Sequence, residues 1–168
     1  IQMGGRTWDV RVDHGHAPDH ATFWSRDDNL VLSGDQVIPS ISSNIGVYPT
    51  EPDANPLAEW LTSCARLKEF AREDHLVLPG HKLPFTGMPL RLHQLIENHH
   101  GALNRLRSDL VVPKTAGETM MAVFKRQIGD GEYGLALVEA LAHCNYLWHA
   151  GEVTRTLDEN GAYLWQMA

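Results

Sequence analysis

At 168 residues, with 43% hydrophobic and 21% charged side chains, the sequence has the composition of a folded globular protein. It is long enough for one domain with an appendage. The apolar runs are too short to span a bilayer, and a formal net charge of -7 argues against a general nucleic-acid binder, which needs surplus Lys and Arg to meet phosphates. Cys64 and Cys144 sit far apart in apolar, helix-like patterns and read as buried free thiols, which suits a cytoplasmic protein. No signal peptide is visible, and a first residue of Ile1 rather than Met is read as the loss of an upstream segment. Ten histidines are many for this length, and several stand beside Gly, Pro or Asp. Imidazole is a common metal ligand and titrates near neutrality, so those at turns carry the functional interest.

In chain order, Thr7 to Val12 alternates and is rich in β-formers, which predicts a strand. His14 to His20 is a loop by composition, and Ala21 to Ser25 is a second strand. Leu30-Val31-Leu32 is a short buried strand stopped by Ser33-Gly34-Asp35. Residues 36–55 hold three prolines and no clear periodicity, yet carry Ile38, Ile41, Ile45, Val47 and Tyr48. That loop is either a lid beside the site or a segment packed on the domain or on a dimer partner. Asn55 caps a helix with Pro56 at its first position, and Leu57, Trp60, Leu61, Cys64, Leu67 and Phe70 form its apolar face. His75 to Leu78 is a third buried strand, ending at Pro79-Gly80-His81. A long helix follows from Pro89 to Asp109, with His99 on its apolar stripe.

From Val111 the character changes. Thr115 to Glu118 is a capping box opening a short helix, and residues 132–150 make a long amphipathic one. Val153 to Leu157 and Ala162 to Met167 flank an Asn-Gly turn and read as a hairpin. Helix, helix, hairpin is a winged-helix-like order. Trp60, Trp148 and Trp165 fall in amphipathic patterns and are expected in the core. Residues 113–168 carry four basic against seven acidic side chains, so this tail is better suited to covering a site or to a dimer contact than to DNA.

Three short apolar strands each stop at a potential metal ligand: Val12 before His14–His20, Leu32 before Ser33-Gly34-Asp35, and Leu78 before Pro79-Gly80-His81. Strand ends are where layered α/β folds collect reactive groups. The ordered set Gly15-His16-Ala17-Pro18-Asp19-His20, Ser33-Gly34-Asp35 and Leu78-Pro79-Gly80-His81 resembles the second half of the metallo-β-lactamase fold, in the style of its glyoxalase II-like and β-lactamase-like protein 2-like hydrolases. The resemblance covers nearly the whole chain. It implies an α/β protein: residues 1–110 as the C-terminal half of an αββα sandwich, and residues 111–168 as a small helical, winged-helix-like domain.

The same resemblance implies metal ligands His16, Asp35 and His81, with Asp35 bridging two ions and so serving catalysis. It places His20 beside the ligands, where it would orient one of them; His14 and His99 are further candidates beside the ligands or the substrate, each set against a structural role, for His99 that of a core histidine. The family also uses an H-x-H-x-D-H motif, which this sequence lacks; His14 to His20 reads H-x-H-x-x-D-H, one residue too long. The N-terminal half of the same domain is therefore the implied partner, and this chain alone is expected to be inactive. Zinc is the implied cofactor, as two ions, with iron or manganese as alternatives. The implied reaction is hydrolysis of a small-molecule thioester or ester. Metal-dependent RNA cleavage and a non-catalytic binding or assembly module stay open as other readings.

Overall fold

The computed structural model describes residues 1–168, which form two compact units: residues 1–43 with 59–97, and residues 44–58 with 98–168. The first unit is built on a five-stranded sheet of β1 (Gln2–Met3), β2 (Arg6–Asp13), β3 (His20–Ser25), β4 (Leu30–Gly34) and β5 (Leu76–Pro79), in that spatial order. Pairing is antiparallel from β1 to β4, and β4 with β5 is parallel. A parallel neighbour requires a crossover. Residues 35–55 and helix α1 (Pro56–Lys68) supply it. β1 was not foreseen, although the Gly4-Gly5 pair that joins it to β2 is a two-residue hairpin signal.

The core of this unit takes Trp8, Trp24, Val31, Val77, Trp60, Leu67, Leu92 and Leu95, all nearly inaccessible. Helix α1 starts as its sequence predicts, with the Asn55 Oδ1 accepting from the Ala58 N–H at 3.4 Å. The same helix anchors the end of β2. Its Arg66 Nη2 reaches the fully buried Asp13 Oδ1 at 2.5 Å and also donates to the Val12 carbonyl, while the Ser63 hydroxyl accepts from the His14 N–H at 2.9 Å. Arg66→Ala is expected to destabilise the protein by about 1–3 kcal/mol, because it strips a buried carboxylate of its charged partner. The exposure of half the Arg66 side chain points to the low end. A urea unfolding midpoint equal to that of the parent protein would contradict this.

The second unit contains the C-terminal part of α2 (Met88–Asp109), α3 (Ala116–Phe124), α4 (Tyr133–His149) and the hairpin β6 (Val153–Leu157) with β7 (Tyr163–Met167). The capping box is formed: the Thr115 hydroxyl accepts from the Glu118 N–H, and the Glu118 carboxylate accepts from the Thr115 N–H at 2.8 Å. Lys114 pairs with Trp165 through both backbone hydrogen bonds and extends the hairpin by one short strand. Leu103, Leu106, Leu147 and Trp165 fill the core. Trp60 and Trp165 are buried as expected, but Trp148 is only partly so; the Arg155 guanidinium lies 3.7 Å from its ring centre and holds it at the surface. Cys64 and Cys144 are free and buried, and burial pushes the Cys144 thiol up to about 12.

The long segment after β4 is held down rather than loose. In the first unit, Val37 and Ile38 are buried and Arg91 donates to the Ile38 and Ile41 carbonyls at 2.7 Å. In the second, Ile45 and Val47 are buried and the Val47 N–H donates to the Val138 carbonyl at 3.0 Å. Packing therefore accounts for most of its apolar residues, and only Ile41 and Tyr48 among them are exposed. No helix is long and apolar enough to cross a membrane.

Candidate metal centre

Sheet order explains why distant turns meet. The start of β3 and the ends of β4 and β5 lie at one edge of the sheet, because β3 runs antiparallel to β4 and β4 parallel to β5. The Gly80 N–H donates to the Gly34 carbonyl at 2.8 Å, tying the last two strand ends together. Asp35 follows Gly34 directly, and His81 follows Pro79 after the single residue Gly80.

At that edge one carboxylate oxygen, Asp35 Oδ2, stands 3.7 Å from His16 Nε2 and 3.3 Å from His81 Nε2. Donors held at about 2.0–2.2 Å by one tetrahedral ion stand roughly 3.3 Å apart, so these spacings fit shared ligation. The other oxygen, Asp35 Oδ1, is buried and has no hydrogen-bond partner. A buried carboxylate oxygen left that way is costly unless a cation meets it. The His16 and Asp35 side chains are about three-quarters buried, whereas His81 is mostly exposed.

Two glycines make the approach of these side chains feasible. A Cβ on Gly80 would overlap Asp35 Oδ1 and stand 3.1 Å from its Cγ. A Cβ on Gly34 would stand 2.6 Å from His20 Nε2, and the residue's φ of 52° is in the left-handed region. The Ser43 hydroxyl donates to the Asp35 carbonyl, which fixes the backbone of the carboxylate-bearing residue.

Of the other histidines singled out from sequence, His20 lies beside the three. Its ring centre is 5.8 Å from that of His16, edge to face, and its Nε2 is 3.2 Å from the Ser33 carbonyl. His14 turns to its own loop, with Nδ1 against the Pro18 carbonyl and 3.8 Å from the Asp19 carboxylate. His99 belongs to the second unit, where it is 1% exposed and its Nδ1 is 3.1 Å from His143 Nε2.

That contact exposes a group that sequence reading missed. His99, Glu139 and His143 place one ligand-type atom each within 4.8 Å of one another, all three buried. Burial lowers the pKa of His99 to about 3 and of His143 to about 4, and raises that of Glu139 to about 7. The signal was the Glu139/His143 spacing of four on one helix face; the third member lies on a different helix, which no local pattern reveals.

Residues 103–168 match the family described as metallo-beta-lactamase-like, C-terminal domain. The whole chain superposes on a beta-lactamase domain protein from Burkholderia ambifaria, at 38% identity and a TM-score of 0.93, covering 50% of that protein. It likewise superposes in full on a metallo-beta-lactamase family protein from Thermus thermophilus, at 28% identity and a TM-score of 0.85, covering 52% of it. The chain thus spans about half the length of these solved relatives. No curated protein matches it significantly.

Proposed function

The chain carries the C-terminal part of the metallo-β-lactamase-like fold, and from that premise we propose that it supplies half of the metal centre of a hydrolase acting on a small thioester or ester. The observation that carries the reading is the single oxygen of Asp35 facing both His16 and His81 while its other oxygen lies buried without a partner. In this reading His16 and His81 would each hold one of two zinc ions, and Asp35 would be the ligand the two ions share. Zinc, when bound, lowers the pKa of coordinated water toward neutrality and polarises the scissile carbonyl.

The residues of this chain hold and orient. Asp35 contributes the negative charge that keeps two cations close. His20, beside His16, steadies the ligand loop, and Arg66 with Ser63 anchors that loop to α1. Residues 111–168 form a winged-helix-like domain in this reading, serving assembly rather than DNA binding, since acidic side chains outnumber basic ones there. Two buried free thiols support a cytoplasmic setting.

Three donors are too few for a tight dinuclear site, so the other half of the fold completes it. Residues 1–168 alone should therefore show no turnover of thioester or ester substrates in the presence of zinc. Joined to the other half, the same residues should hold two zinc ions that are lost on Asp35→Ala, over and above any metal bound elsewhere in the chain, and should hydrolyse such substrates. Robust turnover by residues 1–168 alone, or a joined protein without metal, would each overturn the reading.

A further inference from the structure

We propose that His99, Glu139 and His143 form a second, fully internal metal site in the C-terminal unit, one that takes a single divalent transition-metal ion such as zinc. Four observations support it. The ligand set is two imidazoles and a carboxylate, the donors that zinc takes most readily after thiolate. The 3.1 Å between His99 Nδ1 and His143 Nε2 is close to the separation of roughly 3.3 Å between two nitrogens on one tetrahedral ion.

The third observation concerns orientation. His143 Nδ1 is 2.8 Å from the Glu139 carbonyl, which can only accept, so that nitrogen carries the proton and Nε2 presents its lone pair toward His99. A backbone carbonyl bonded to the second ring nitrogen is the usual way a protein aims a ligating histidine. Glu139 is held similarly, its carboxylate accepting from Asn44 Nδ2 at 3.0 Å and from the Ile45 backbone N–H, which fixes the side chain beside the two imidazoles.

The fourth is charge. His99 and His143 are each 1% exposed and Glu139 is 8% exposed. Arg105, the cation whose field reaches His143, is engaged by the Ala122 and Val123 carbonyls at 2.7 and 2.8 Å. A carboxyl group buried in this way either keeps its proton or takes a cation. The two imidazoles are held neutral, which is the ligating form. In the metal-free protein the proton of His99 Nδ1 bridges to His143 Nε2. Binding the ion through those two nitrogens moves that proton to the other nitrogen of His99, and Glu139 gives up its own proton to solvent.

The test uses residues 1–168 carrying His16→Ala, Asp35→Ala and His81→Ala, which removes the strand-end donors and leaves the internal cluster intact. Zinc retained after dialysis is measured by elemental analysis, and cobalt(II) is titrated while its visible absorption is followed. The expected result is one equivalent of zinc and a cobalt spectrum typical of four-coordinate nitrogen and oxygen ligation, one water completing the three protein donors. Adding Glu139→Gln, which preserves shape and the Asn44 contact, should weaken binding by more than about a hundredfold, beyond what loss of a supporting contact costs. His143→Gln should do the same, and circular dichroism checks that it folds; Glu139→Gln decides the matter if it does not. Retention of no zinc by the triple variant, or zinc binding indifferent to Glu139→Gln, would overturn the site. Neither outcome bears on the strand-end centre, whose donors are absent from this protein.

Discussion

If the proposed function holds, Asp35→Ala in the chain joined to the other half of the fold lowers kcat/KM by more than about a thousandfold, equivalent to about 4 kcal/mol of transition-state stabilisation. The side chain is the shared neighbour of His16 and His81, so its loss separates the two halves of the centre in one step. Measured without metal, folding stability should stay level or rise, because the substitution removes a buried oxygen that lacks a hydrogen-bond partner; with zinc present it should fall below the parent's, because the parent alone keeps the bound ions. Asp35→Asn separates charge from shape: it should retain the fold and lose the metals. Steady-state kinetics, metal analysis and urea unfolding measured together decide the matter. Activity above a tenth of the parent's in Asp35→Ala would remove the carboxylate from the role assigned to it.

Gly80→Ala carries the second-largest expected effect, and it acts through space alone. The added methyl overlaps Asp35 Oδ1, while the backbone of the same residue is tied to the Gly34 carbonyl at 2.8 Å. Either the carboxylate leaves its position or the strand ends part. The first costs metal affinity and the second costs about 1–3 kcal/mol of stability, the range typical of overpacking. Gly131→Ala is the natural control, since nothing lies within 4 Å of its added Cβ. A Gly80→Ala protein that matches Gly131→Ala in both zinc affinity and urea midpoint would show that the close approach of Gly80 and Asp35 is unimportant.

Much of the architecture was readable because its signals are local. Proline after Asn55, the Thr115/Glu118 box and the Asn-Gly turn each set the conformation of a few neighbouring residues, and each appears where the sequence places it. The strand stops at Ser33-Gly34-Asp35 and Pro79-Gly80-His81 are of the same kind. The first strand escaped notice because two residues offer no period to detect, even with the Gly4-Gly5 turn beside it. The apolar residues of 36–55 leave a lid or pocket wall and a packed segment equally open, because the bonds that hold the segment come from Arg91 and Val138, far away in sequence.

By itself, the sequence determined most of the strands and helices, and which histidines and carboxylates stand at turns. Only the tertiary structure decided which of them meet. Parallel pairing of β4 with β5 brings Asp35 to His81, and helix packing brings His99 to Glu139 and His143 while leaving His14 with its own loop. The physical reason is range: capping, turn chemistry and periodicity act over a few residues, whereas a metal-sized cluster forms only where strand register and helix packing join segments dozens of residues apart.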